Sequence, residues 1–496
     1  MKRKGTKGKR CLEIGGLWGL IAGMDTPIPF RPIVVFVGLL MAVSACAFGQ
    51  STGAVSPASP ASPTGPLGRV ALPGASATPN AERIKNRRLA AIDRSKMLAE
   101  LGIPDPLGLS VASPMQTPGG TTNYDEAKAN PYPLTHPLQF KNGKPVRSAA
   151  AWWAVRRPEI LKEFTTEIYG KIPENTPRVT WEVTRRDPHG ANGTAMVKTI
   201  VGHIDHSGYP AASAHIDLTL YLPPNSMGPV PVIVQVVPGV PAVSGTTPLP
   251  FALPLVLAKG WGLATASTYT VQADTGAGLD NGVIGIVSRG QERKPDQWGA
   301  LAAWSWGLSR VIDYLETDKA VDAKRLGVEG HSRWGKTALL AAALEPRWSI
   351  VYASCSGQCG AKPSRRNWGE TLDNICGIGE YHWMAGNYLK YAKHWDKLPV
   401  DSPELISLVA PRPVFIGCGS TDRWADPHGQ FLAVVAAGPV WKLLGKQDVG
   451  ADTQPAPDVA LTGGDIGYRM HNGGHTDELD FPTFLEFAGK YWGAGK

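Results

Sequence analysis

Short, nearly unbroken apolar runs occur at residues 215–222, 231–237, 261–267, 325–330, 349–354 and 412–418. Runs of this kind predict strands covered on both faces, because a half-exposed strand alternates apolar with polar positions. Helical spacing of apolar residues fills much of the intervening chain, over 297–315, 334–345, 428–437 and 480–490, with Asp296 the expected N-cap of the first. Strands alternating with helices predict an α/β fold: one doubly wound, mostly parallel sheet with helices on both faces. Residues 82–102 and 149–169 also read as helices, the second through Trp152, Trp153, Ile160, Leu161, Phe164 and Ile168. Pro and Gly recur too often over 104–145 for long regular elements. No internal repeat is present, and a single α/β domain over 100–496 is expected.

Composition adds the compartment. Hydrophobic residues make up 43% of the 496 and charged residues 19%, an ordinary globular balance with ample core. The formal charge of +8 is concentrated in residues 1–47, which hold a basic cluster (Lys2, Arg3, Lys4, Lys7, Lys9, Arg10). The remainder is close to neutral, so the chain does not read as a nucleic-acid binder. The apolar run Ile33–Ala47 ends in Ala45-Cys46-Ala47, an A-x-A-like cleavage site. It is shorter than the ~20 residues a spanning helix needs, so a signal peptide over 1–47 is expected. Met24 is an alternative start, and Cys46 an alternative lipid-anchor site. Residues 48–81, rich in Ser, Pro and Ala, read as a linker. A secreted, periplasmic or outer-membrane-associated monomer is the expectation. In that setting one or two disulfides are expected among Cys355, Cys359, Cys376 and Cys418, with the pairing open. The spacing of Cys355 and Cys359 lacks a second ligand pair for zinc.

The chemistry is concentrated at Gly330-His331-Ser332-Arg333-Trp334-Gly335-Lys336, between a β-like run and an Ala/Leu-rich helical one. A serine between glycines at a strand-to-helix turn is the nucleophile elbow of α/β-hydrolases, although the second glycine stands one residue late against G-x-S-x-G. A serine needs a base to take its proton and an acid to orient that base, in the chain order Ser, Asp/Glu, His. Asp422 follows an apolar run and His475 lies in a glycine-preceded loop before the last helix; Asp426 and His471 are the competing acid and base. Arg333, next to the serine, offers its backbone N–H and its guanidinium to a developing oxyanion.

The same heptapeptide resembles the G-x-S-R-x-G-K signature of the glucuronoyl esterases, carbohydrate esterase family 15. The likeness continues through Cys355-Ser356-Gly357, Asn367-Trp368-Gly369-Glu370-Thr371, Asp422-Arg423-Trp424-Ala425-Asp426-Pro427 and the His475 loop, and covers about residues 130–496. It implies an α/β-hydrolase that cleaves esters between lignin alcohols and 4-O-methyl-glucuronic acid on xylan, without metal or organic cofactor. It also implies Ser332 as nucleophile, His475 as base, Arg333 as oxyanion donor, and Lys336, Glu370 and Trp424 as contacts to the uronate. Many members carry the triad acid as Glu directly before Ser-Gly. Here that place is Cys355, so the acid is expected from the later strand, at Asp422, as in some bacterial members. Gln358 stands where several bacterial members carry Glu.

Each sugar contact has an ordinary structural alternative: Lys336 solvating a helix turn, Glu370 pairing with Arg365 or Arg366, Trp424 in the core. Two other functions fit the same motifs. One is an acetyl-xylan or feruloyl-type esterase; the other is a catalytically inactive xylan-binding surface protein.

Overall fold

The computed structural model describes residues 80–107, 122–130, 133–239 and 248–493. The expected leader, Cys46 and nearly all of the expected linker lie outside the described residues. Ten strands form one sheet in the order β1-β2-β3-β5-β4-β6-β7-β8-β10-β9. They are β1 (Val179–Gly190), β2 (Ala195–Ile204), β3 (His215–Leu222), β4 (Val230–Val237), β5 (Gly262–Ser267), β6 (Val321–His331), β7 (Ile350–Ser354), β8 (Val414–Gly419), β9 (Ala460–Leu461) and β10 (Ile466–His471). The six central strands, β5 to β10 in that order, pair in parallel, while β1, β2, β3 and β9 add antiparallel edges.

Alternate residues of the central strands serve opposite faces. On β4, Val232 and Val234 join the core shared with helices Ala300–Leu315, Arg333–Leu344 and Pro427–Leu443. Ile233 joins a second cluster with Leu253, Val256, Phe481, Phe484 and Trp492, from helices Leu253–Ala258 and Phe481–Trp492. Burial on both sides is why these strands read as continuous apolar runs. Pro231, which cannot donate to a ladder, sits where the β4–β6 pairing shifts register.

Two expectations need correction. The helix after Asp296 begins at Ala300 with Gly299 as its N-cap. Gly299 donates to the Tyr169 carbonyl at 2.9 Å, while Asp296 turns outward to Lys171 at 2.6 Å. The four cysteines expected to form disulfides are free, buried thiols. Each has its own contact: Cys355 with the Thr476 carbonyl, Cys376 with the Tyr388 carbonyl, Cys359 with the Tyr388 hydroxyl and Cys418 with the Tyr468 hydroxyl. The helical stretch 149–168 contains two π-helical turns, Trp152–Arg156 and Phe164–Ile168. No helix among the described residues is long and apolar enough to cross a membrane.

Candidate active site

Ser332 follows the last residue of β6 and has φ 59°, ψ −124°, a conformation that an L-residue keeps only when its surroundings impose it. Its N–H donates to the Ser354 carbonyl at the end of β7, 2.8 Å away. A Cβ on Gly330 would lie 2.1 Å from the Trp334 carbonyl oxygen, and one on Gly335 would lie 2.7 Å from that of Ser354. The late second glycine is therefore where the helix presses on β7. The Arg333–Leu344 helix starts directly behind the serine, so the positive end of its dipole lies at the elbow.

His475 donates Nδ1–H to Asp422 Oδ2 at 2.7 Å; the acid is 4% exposed and the histidine 41%. This fixes the tautomer and leaves Nε2 as the proton acceptor. Asp422 caps the turn Arg423–Ala425 just beyond β8. Burial pushes its carboxyl up, but the His475 contact, the Cys355 thiol and the Ala425 amide outweigh this and hold it below the usual carboxylate range. The His475 ring packs against His331, the residue before the serine, at 4.3 Å between centroids. Burial, then the neighbouring His475, lowers His331 to about 3, so the ring beside His475 is a neutral one.

The two competing candidates are structural. Asp426 is fully buried, caps the Pro427–Leu443 helix through the Gly429 amide at 2.9 Å and pairs with Arg366 at 2.7 Å. His471 is fully buried, with Nδ1 2.7 Å from Asp480 and Nε2 2.9 Å from the Gly474 carbonyl. Burial opposes a charge on this ring, but Asp480 raises its pKa above the ordinary value. Through Nε2 the ring ties down the carbonyl immediately before His475.

Arg333 stacks its guanidinium on Trp383 at 4.8 Å and pairs with Asp274. Asp274 also accepts from Tyr269 Oη (2.9 Å), His382 Nε2 (2.9 Å) and Trp383 Nε1 (2.6 Å). Burial opposes its charge, yet Arg333 and these donors hold its carboxyl well below the usual range. One turn along the helix, Lys336 Nζ donates to Glu370 Oε2 and to the Ser356 carbonyl, both at 2.8 Å. The lysine and glutamate side chains are 3% and 6% exposed. Glu370 Oε2 also accepts from the Gln358 amide at 3.0 Å, and the Glu370 amide donates to the Trp424 carbonyl at 2.8 Å. Lys336 thus does not solvate its helix and Glu370 does not pair with Arg365 or Arg366. Trp424 is half-buried. Gln358 is fully buried, its amide group between Tyr388 Oη and Lys362.

Sequence reasoning missed Asp274, His382 and Trp383. Asp274 carried one usable signal, a lone acid in a small-residue loop after a buried strand. His382 and Trp383 carried none, because the segment around them consists of short 3₁₀ turns without periodicity. Cys355, which cannot itself serve as the acid, has its thiol against Asp422, within 4.8 Å of both Asp422 and His475. The whole arrangement offers a serine at a helix N-terminus, an oriented imidazole, and a fixed guanidinium: the parts needed to form and collapse a tetrahedral oxyanion.

Residues 291–445 match the family model described as "Glucuronyl esterase, fungi". A carbohydrate esterase from an unknown prokaryotic organism is 32% identical over 75% of this chain and 93% of its own. A 4-O-methyl-glucuronoyl methylesterase of Cerrena unicolor is 28% identical over 66% of this chain and 64% of its own. Among solved structures, a family 15 glucuronoyl esterase from Teredinibacter turnerae superimposes with a TM-score of 0.74 at 38% identity, covering 81% of this chain and all of that one. With its α/β-hydrolase fold, the chain belongs to the glucuronoyl esterases of carbohydrate esterase family 15 and is a carboxylic ester hydrolase.

Proposed function

We propose that the protein hydrolyses the ester between a lignin alcohol and the (4-O-methyl-)glucuronic acid side chain of xylan. Ser332 attacks the uronoyl carbonyl as His475 takes its proton, and Arg333 with the elbow amides stabilises the oxyanion. His475 then protonates the departing alcohol, and water hydrolyses the glucuronoyl-enzyme through the same groups. The basic leader and linker favour action outside the cytoplasm, on the exposed wall polymer.

The observation that carries the substrate class is the buried Lys336–Glu370 pair one helical turn from the nucleophile. Lys336 uses two hydrogens on Glu370 and Ser356, leaving a third to donate to a sugar oxygen. The Lys336 and Gln358 contacts both fall on Glu370 Oε2, which leaves Oε1 for a sugar hydroxyl. An acetyl group offers neither partner. Benzyl glucuronate, methyl galacturonate and acetyl-xylan therefore separate the readings: preferential hydrolysis of the glucuronate ester is expected. Turnover of acetyl-xylan alone would replace this reading with a deacetylase, and turnover of none would support a binding protein.

The same pair predicts a kinetic split. Glu370→Gln keeps an acceptor for Lys336 but weakens the charge-assisted contacts, so KM for benzyl glucuronate should rise about tenfold with a smaller change in kcat. Hydrolysis of p-nitrophenyl acetate, which has no sugar to hold, should stay near wild type. Steady-state kinetics on the two esters checks both.

A further inference from the structure

Helix Asn80–Glu100 lies far from Ser332 in sequence, yet it packs on the two segments that hold Arg333. Its residues Ala90, Arg94, Met97 and Leu98 recur at helical spacing and are all buried. Arg94 donates to the Cys376 carbonyl at 2.8 Å and pairs with Asp105 at 2.7 Å. Asp93 accepts from Tyr381 Oη at 2.8 Å. At Gly276 a Cβ would lie 2.5 Å from that hydroxyl and 2.9 Å from Ala90 Cβ, so helix, tyrosine and glycine loop meet at one point.

The two clamped segments carry the oxyanion arginine's partners. Gly276 is two residues after Asp274, which pairs with Arg333. Tyr381 precedes His382 and Trp383, which donate to Asp274, and Trp383 also carries the guanidinium on its face. Five donor–acceptor or stacking contacts, joined by the backbone from Tyr381 to Trp383, thus connect Asp93 to Arg333: Tyr381 to Asp93, His382 and Trp383 to Asp274, Asp274 to Arg333, and Arg333 over Trp383.

We infer that helix Asn80–Glu100 is a positioning element of the oxyanion site, acting through the Asp93–Tyr381 hydrogen bond on the Asp274–Trp383 cradle of Arg333. The inference rests on Arg333 being the oxyanion donor, and it assigns a role to a segment that carries no catalytic motif. A donor displaced by a fraction of an ångström from the developing charge loses transition-state stabilisation while ground-state binding survives.

The test is a double-mutant cycle on p-nitrophenyl acetate, an activated ester that needs the serine and the oxyanion donor but no uronate contacts. Failure of the glucuronate reading therefore leaves the cycle readable. Tyr381→Phe and Asp93→Ala should each lower kcat about fivefold with KM little changed, and Asp93→Asn, which keeps an acceptor, should restore it. In an Arg333→Ala background, Tyr381→Phe should have no further effect. An unchanged kcat in Tyr381→Phe would overturn the inference. So would the same fivefold loss with Arg333 absent, which would mark the helix as general support only. Thermal midpoints of the variants show whether a loss of fold contributes, and the Arg333 background separates that loss from positioning in every case.

Discussion

Ser332→Ala is expected to lower kcat on benzyl glucuronate by about 10⁶-fold, with KM for the ester retained within a few-fold. A loss this large follows from the proposed mechanism, in which the Ser332 hydroxyl forms the bond and nothing beside it substitutes: His331 is neutral and contacts Ser354, and the buried Cys355 thiol is pushed well above its ordinary pKa by burial. Alanine at this position keeps the same strained backbone, so the thermal midpoint should move little. Covalent labelling by a serine-directed phosphonate, read by intact mass, should disappear in the same variant. Retention of a tenth of the activity would mean another nucleophile.

Asp422→Asn should cost about 10⁴-fold in kcat. An asparagine amide donates to Nδ1 and so moves the imidazole proton to Nε2, where it blocks acceptance of the serine proton. The geometry offers a rescue. Cys355 Sγ, Asp422 and His475 all lie within 4.8 Å of one another, so Cys355→Glu added to Asp422→Asn places a carboxylate beside Nδ1 from the end of β7. At least tenfold recovery is expected, measured as kcat on the same ester. Asp426→Asn makes the contrast: it removes a helix cap and a partner of Arg366, so it should lower the thermal midpoint and leave the pH profile of kcat unchanged.

How much of this was legible follows from local physics. Five of the six central parallel strands were readable because burial on both faces leaves them mostly apolar, and β3 to β8 fall within a few residues of their expected places. β1, β2, β9 and the central β10 were not read. β1 alternates Val179, Trp181 and Val183 with exposed positions and then runs into Arg185, Arg186, Asp187 and Pro188, a polar edge strand whose pattern dissolves halfway. The candidates Ser332, Asp422 and His475 could be picked out because each lies within four residues of the end of a strand, where a small motif has a fixed context. The cradle of Arg333 was not, because it joins Asp274 to His382 and Trp383 across more than a hundred residues, and no local spacing encodes that meeting. The role of the 80–100 helix was hidden for the same reason: its apolar face announced packing but not what it packs on.

The conformation of Ser332 has a consequence for how the molecule gains its activity. Its amide is held by Ser354 at the end of β7, and the next amide, that of Cys355, is held by Gly417 on β8. The elbow is thus a property of three assembled strands rather than of its own heptapeptide. During folding, a chain whose β6 and following helix have formed, but whose β7 is still unpaired, has no force keeping the serine at positive φ and relaxes out of it. The serine's reactive conformation therefore depends on closure of the central sheet, so a substitution that loosens the β7–β8 pairing reaches the elbow without touching it.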